Sequence, residues 1–260
     1  MSQRAHEVLK QAEAIVGYTT YIDLIRPLIR DKKIVSTGMK KEVDRIEAAI
    51  ELACCGTACA IISSGDAGVY AMAGLTLEMC QKKSVAISAS WRPFRKATED
   101  DALTVEVVPG IPALCSGAAL LGAPLTHDFA AISLSDLLTP WEKIETRLKA
   151  AARADFVIVL YNPKSKKRHW QLEKAQQIVM AHRSGDTPVG IVTRAMRDGQ
   201  SARIVRLKDL DSAPVDMLTT VFIGNENTFT YNDFLITPRG YAEKYSLDKK
   251  AACSTAGGRS

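Results

Sequence analysis

No stretch of this 260-residue chain approaches the ~20 consecutive apolar residues that a membrane-spanning helix needs. The start, MSQRAHEVLKQAEAIV, is amphipathic and lacks the charged head and apolar core of a leader, so the chain reads as cytoplasmic. Phosphate cradles are missing as well. There is no Gly-x-x-x-x-Gly-Lys-Ser/Thr, and no Gly-x-Gly-x-x-Gly follows a predicted strand, which argues against ATP and weakens NAD. The six cysteines are scattered, and Cys54, Cys55 and Cys59 have no second Cys/His cluster at metal-ligand spacing. Reduced, mostly buried thiols and no metal site are expected. The formal charge of +5 is spread out, with only short clusters such as Lys164 to Arg168, and makes no stripe for nucleic acid. Small-molecule anions suit it better.

What is present is an apolar fraction of 47% beside 24% charged residues, enough for a sizeable core in one large or two medium domains. Val8, Leu9, Ala12, Ile15 and Val16 recur at helical spacing, and TTYIDLIRPLI gives a second helix capped by Thr19 or Thr20, with Pro27 near its end. The period then changes. KIVST, ACAIISS, SVAIS and VEVVPG read as strands, alternating with helices around Val43 to Ala53, from Val69 onward, and over 111 to 121. Such alternation predicts a mostly parallel sheet. The second half differs: FAAISLSD, DFVIVLYNP, PVGIVT, ARIVRLKDL and TTVFIGN read as strands around the helices WEKIETRLKAAAR and WQLEKAQQIVMAH, which predicts a mixed sheet. LGAPLTHD carries turn chemistry between the halves. The expected layout is an α/β domain over residues 1–121, a second over 122–245, and a flexible tail at 246–260.

SSGDAG, residues 63 to 68, leaves the carboxyl end of a predicted parallel strand, where loops line the ligand crevice. Its glycines let backbone approach a ligand closely, and Ser63 or Ser64 is placed to cap the next helix. Asp66 has two candidate jobs, a helix cap or an acceptor for a ribose or an amine. A cationic, phosphate-free adenosine cofactor, such as S-adenosylmethionine, suits an acid better than a pyrophosphate does.

Seven segments, SSGDAGVYAMAG, VEVVPGIPA, LGAPLTHDFAAISLSDLLTPWEKIETRL, ADFVIVLYNPKSKKR, GQSARIVRL, VDMLTTVFIGN and ITPRGY, together resemble the tetrapyrrole (corrin/porphyrin) methylase family. The order SLSDLLTPWE, LYNPKS, ITPRGY is similar to the branch that methylates C-17 of a precorrin during cobalamin biosynthesis. The resemblance implies a homodimer of two-domain α/β subunits, with S-adenosylmethionine as co-substrate in the cleft between domains and the tetrapyrrole over it. It maps cofactor contacts onto Ser64, Gly65, Asp66 and Val69, onto Pro112 and Ala113, and onto Asn162, Ala195 and Thr220. Strand-end packing is the alternative for the last three.

The activity implied is transfer of methyl to C-17 of precorrin-3B or cobalt-precorrin-3, with ring contraction to the corresponding precorrin-4. His127, beside Asp128, is the candidate acid–base group, unless the pair merely caps a turn. Arg92, Arg168, Arg194, Arg197 and Arg239 are candidate partners for substrate carboxylates. Trp91, Arg95 and Lys96 share the long segment 87–103 and read as surface or as substrate contacts. The family's opening strand and Gly-x-Gly-Pro-Gly loop are missing before Met1. That leaves two other readings, a truncated homologue that binds tetrapyrrole or a partner without catalysis, and a sibling methylase acting at another ring carbon.

Overall fold

The computed structural model describes residues 1–90, 102–165 and 168–247. The chain divides into two compact units, Met1–Cys115 and Ser116–Ser260. Trp91, Arg92, Arg95 and Lys96, and the tail beyond 247, lie outside the described residues.

In the first unit, α1 (Gln3–Gln11) is capped by Ser2, whose hydroxyl accepts the Ala5 amide. The expectation that this helix continues through Val16 is corrected. Ala12 turns extended (φ −62°, ψ 140°), and β1 (Ala14–Tyr18) follows. Apolar residues at 8, 9, 12, 15 and 16 fit a helical period, but β-branched Ile15 and Val16 suit a sheet, and Gly17 admits a close neighbour. A Cβ on Gly17 would stand 2.4 Å from Ile62 Cγ1. Accordingly β1 is the central strand of a parallel sheet, between β2 (Lys33–Thr37) and β3 (Cys59–Ile62).

The helix α2 (Thr19–Ile25) leaves β1 without a side-chain cap. Thr19 and Thr20 lie inside it, Tyr18 holds the cap position, and Pro27 sits in a single 3₁₀ turn after it. Next come α3 (Glu42–Cys54), α4 (Met72–Lys82) and a separate parallel pair, β4 (Ile87–Ala89) with β5 (Leu103–Val105). Leu9, Ile15, Ile22 and Ile29 form one core, and Ile46 and Ile50 pack on Met79 and Cys80 in another. The thiols divide: Cys80 is buried, and burial pushes the half-buried Cys59 up to about 11. Cys54, Cys55 and Cys115 are exposed, against the expectation of mostly buried cysteines.

The division between the units falls inside α5 (Ala113–Leu121), after Cys115. In the second unit β6 (Gly122–Ala123) is followed by β7 (Phe129–Ser133), α6 (Trp141–Arg153), β8 (Val157–Tyr161), α7 (Gln171–Met180), β9 (Pro188–Thr193), β10 (Ser201–Arg206) and β11 (Thr219–Ile223). The sheet runs β10-β9-β11-β8-β7, with β7 parallel to β8 and β11 antiparallel to both β8 and β9. Strands β7, β8 and β9 therefore point the same way. Their carboxyl ends share one edge of the sheet with the start of β11.

Core residues of this unit come from alternate sources, sheet and helix: Ile158, Leu160, Ile191, Val221 and Ile223 meet Ile144, Leu148, Leu172 and Val179. Beyond the expected elements, β12 (Phe229–Tyr231) and β13 (Phe234–Ile236) form a hairpin that adds β6 as a third strand, and a short α8 (Tyr241–Lys244) follows.

Candidate functional site

In the first unit the sheet's carboxyl edge is built around a buried cation. Arg45 donates from Nε to Thr37 Oγ1 (2.8 Å) and from a terminal nitrogen to the Gly38 carbonyl (3.1 Å), and lies 5.9 Å from the Tyr18 ring centroid. From this edge β3 runs into Ser63 to Gly68. The Ser63 hydroxyl is buried without a hydrogen-bond partner. Gly65 takes φ +78°, a left-handed conformation that glycine adopts freely.

That loop interlocks with the segment Pro109 to Ala113, which the sequence nominated separately. Asp66 accepts the Gly68 amide on Oδ1 and the Gly110 amide on Oδ2, both at 2.8 Å. A Cβ on Gly110 would fall 1.9 Å from the Gly65 carbonyl oxygen, and one on Gly65 would lie 3.5 Å from Pro112 Cα. Two glycines thus let two backbones touch, and one carboxylate holds them. The second loop is tied back in turn, since Ser2 Oγ donates to the Pro109 carbonyl (2.8 Å) and Arg4 grips Glu106 bidentately at 2.6 and 2.7 Å. The guanidinium holds the Glu106 carboxyl below the usual carboxylate range.

These contacts revise the expected roles of the loop. Neither Ser63, Ser64 nor Asp66 caps α4, because that helix starts at Met72 behind Ala71 and has no side-chain cap. Asp66 is a clamp between loops, with one lone pair of each oxygen already spent on an amide. Val69 lies half-buried one turn on, its amide bonded to the Asp66 carbonyl (3.2 Å), and Pro112 and Ala113 are half-buried opposite Gly65.

The second unit gathers its candidates on the carboxyl edge of β7, β8 and β9. Asn162 ends β8 in the left-handed region (φ 50°) and donates from Nδ2 to Ser133 Oγ at the end of β7 (3.0 Å). Arg194 and Met196 are also left-handed, at φ 54° and 58°, and flank half-buried Ala195 after β9. Such conformations cost about 1 kcal/mol or more each outside glycine, and concentrate where a site dictates the backbone. Thr193 and Thr219 share a hydroxyl contact of 2.9 Å at the same edge. Thr220, the predicted contact, is buried one residue along β11 and alternates to the face of the sheet opposite Thr219.

His127 and Asp128 lie elsewhere. They precede β7, at the opposite end of a strand whose five residues span roughly 17 Å. Both are exposed, and His127 Nδ1 accepts the Asp128 amide at 2.8 Å. The pair makes a local turn contact, the alternative given for it above beside the acid–base reading. Of the candidate arginines, Arg168, Arg194 and Arg197 follow the carboxyl edge, and exposed Arg239 lies beyond β13.

The family Tetrapyrrole (Corrin/Porphyrin) Methylases matches residues 1–211. The chain belongs to this methylase family. Among curated relatives, the methylase is 48% identical to a cobalt-factor III methyltransferase of Priestia megaterium over 96% of this chain and 44% of that one. It is 45% identical to a probable cobalt-factor III C(17)-methyltransferase of Salmonella typhimurium, covering 93% of each. The methylase thus spans under half the length of the first relative and nearly all of the second. The crystal structure of the methyltransferase CobJ is similar with a TM-score of 0.79 at 33% identity, over 92% of this chain and 93% of that one.

The family takes its methyl group from S-adenosylmethionine, and the residues of the first unit fit that molecule. Ser63 leaves a buried hydroxyl unpaired, Gly65 and Gly110 meet backbone to backbone, and Tyr70 and Ile111, close to them in sequence, expose more than half of their surfaces. Apart from the Asp66 carboxylate, which already accepts two amides, that set is uncharged and part apolar, which suits a nucleoside without phosphates.

Proposed function

We propose that this chain is an S-adenosylmethionine-dependent C-methyltransferase that methylates C-17 of a cobalt-bearing precorrin-3-level tetrapyrrole, with ring contraction, in cobalamin biosynthesis. The observation that carries the reading is the Asp66–Gly110 clamp, which joins the two loops assigned to the cofactor through their glycines. The names of the relatives from Priestia and Salmonella favour the cobalt substrate over the metal-free one.

When bound, the cofactor supplies an electrophilic methyl group on a sulfonium. Residues Ser64, Gly65, Val69, Pro112 and Ala113 would hold it in the first unit, with Asp66 fixing the loops. Asn162, Ala195 and Thr219, with Thr220 behind it, belong to the part of the reading carried by the second unit. In-line transfer needs positioning more than a nucleophile, and orientation alone supplies up to ~7 to 11 kcal/mol in ideal cases. His127 and Asp128 have no part in this scheme. A homodimer in the cytoplasm completes the reading, and sedimentation velocity checks the assembly state.

The test is incubation with S-adenosylmethionine and either cobalt-factor III or metal-free precorrin-3B, followed by mass and absorbance spectra. Gain of one methyl group on the cobalt substrate is expected. Absence of both calorimetric heat and thermal shift with S-adenosylhomocysteine overturns the reading in favour of a non-catalytic homologue.

A further inference from the structure

Most described arginines with recorded partners are matched by full acceptors. Arg4 has Glu106, Arg26 has Asp23, Arg206 has Asp186, and buried Arg183 donates to the carbonyls of Gly224 and Phe156 with Asp155 at 3.5 Å. Arg168 is different. Among the described residues its Nε, like that of Arg183, is buried with no hydrogen-bond partner, but neither terminal nitrogen has a carbonyl or carboxylate: one meets the Ser135 hydroxyl at 3.3 Å and the other the Met217 thioether at 3.4 Å. None of the described carboxylates pairs with it.

The backbone that carries the guanidinium is nevertheless held. The Arg168 amide donates to Ser165 Oγ (3.1 Å), and the Ser165 amide donates to the Arg168 carbonyl (2.7 Å). Two residues on, Trp170 packs edge to face on Trp141 with centroids 4.8 Å apart. Nearby, Gln171 is 2% exposed and donates to Asp136 (2.9 Å), leaving its own Oε1 buried and unpaired. A planar fork of five donors on an anchored backbone, given a hydroxyl and a sulfur as acceptors, is underused by its own protein.

The surroundings describe what it awaits. Leu137 and Leu138, on the same loop as Ser135, expose 75% and 93% of their surface, and Met196, Met217 and Leu218 are exposed along the same edge. Exposed apolar groups around an unmatched guanidinium fit a ligand with flat apolar faces and carboxylates at its rim.

We infer that Arg168 is the anchor for a peripheral carboxylate of the tetrapyrrole, and that Leu137, Leu138 and Met217 receive the adjoining face of the macrocycle. This rests on the methyltransferase reading and selects one arginine from the four described among those the sequence offered. Arg168 binds and orients; it takes no part in the transfer itself.

The test titrates uroporphyrin III, an octacarboxylate, by absorbance against wild type, Arg168→Met, Arg168→Lys and Arg194→Met, with S-adenosylhomocysteine calorimetry on each. Expected are a tenfold or greater loss of porphyrin affinity in R168M, partial recovery in R168K, and less than threefold loss in R194M. Raising salt is expected to weaken wild type more than R168M. S-adenosylhomocysteine affinity stays within twofold throughout. R168K, which keeps the charge and most of the stem, carries the test if R168M does not fold. Porphyrin affinity within twofold of wild type in R168M, or in R168K should R168M not fold, overturns the inference while intact S-adenosylhomocysteine binding leaves the methyltransferase reading standing. A wild-type chain that binds neither ligand overturns both.

Discussion

Replacing Asp66 by alanine probes the loop clamp directly. The side chain accepts two backbone amides at 2.8 Å, one exposed at Gly68 and one part-buried at Gly110. A hydrogen bond to a charged group is worth about 1.5–3 kcal/mol where water cannot replace it, and much less where it can. Gly110 therefore dominates, with about 2 kcal/mol, and the Gly68 bond adds less than about 1. For a chain of this size that lowers Tm by about 4–10 °C. The same loss shifts the docked and undocked loop populations by about 30-fold, since 1.4 kcal/mol is tenfold. If the undocked form is minor in wild type, apparent affinity for S-adenosylhomocysteine falls by up to about tenfold, through the smaller competent fraction. Asp66→Asn keeps one acceptor oxygen and lies between. Scanning calorimetry and isothermal titration read both quantities. A D66A chain that melts within about 1 °C of wild type yet loses cofactor binding entirely refutes the clamp, and returns Asp66 to direct contact with the ligand.

Gly110→Ala places a methyl 1.9 Å from the Gly65 carbonyl oxygen, a backbone atom that cannot swing away, so the loops separate. A loss of about 1–3 kcal/mol in urea unfolding and weakened S-adenosylhomocysteine binding are expected. Asn162→Gly relieves the left-handed backbone while losing the bond to Ser133, whereas Asn162→Ala loses the bond and keeps the strain. The alanine variant is expected to be about 1 kcal/mol less stable than the glycine variant by urea unfolding. Glu106 is held below the ordinary carboxylate range by its bond to Arg4, so its stabilisation is complete above the unfolded value of about 4.3 and fades as pH falls through the lower folded value. Tm measured against pH is expected to converge for wild type and Glu106→Gln only at the acid end, with wild type higher at neutral pH.

The elements of both sheets were legible where pattern and composition agreed. KIVST, DFVIVLY and PVGIVT are apolar runs with β-branched residues, and all became strands. Ile15 and Val16 were misread because their spacing from Val8 and Ala12 suits a helix equally well, and nothing local reveals Ile62 waiting above Gly17. The β12–β13 hairpin had a signal that went unused. Tyr231 pairs with Phe234 across a two-residue loop, and Asn232 sits at φ 51°, the kind of turn that Asn favours.

At the site, motifs named the loops but not their wiring. Asp66 and Gly110 are 44 positions apart, so their bond depends on the packing of two loops. The place of His127 before β7, at the strand end opposite Ser133, follows from strand direction, which its residue type does not reveal. Arg168 differed from Arg194 or Arg239 only once its neighbours were in place, because an unmatched donor is a property of surroundings.

The Trp141–Trp170 pair gives the methylase a built-in optical gauge. Trp170 lies two residues from Arg168 and Trp141 packs on Trp170, while the remaining tryptophan, Trp91, can be silenced by Trp91→Phe. A pigment whose absorption overlaps indole emission drains that light by energy transfer as it settles nearby. Arrival and departure of a coloured ring can then be followed in real time by stopped-flow emission, with no attached dye.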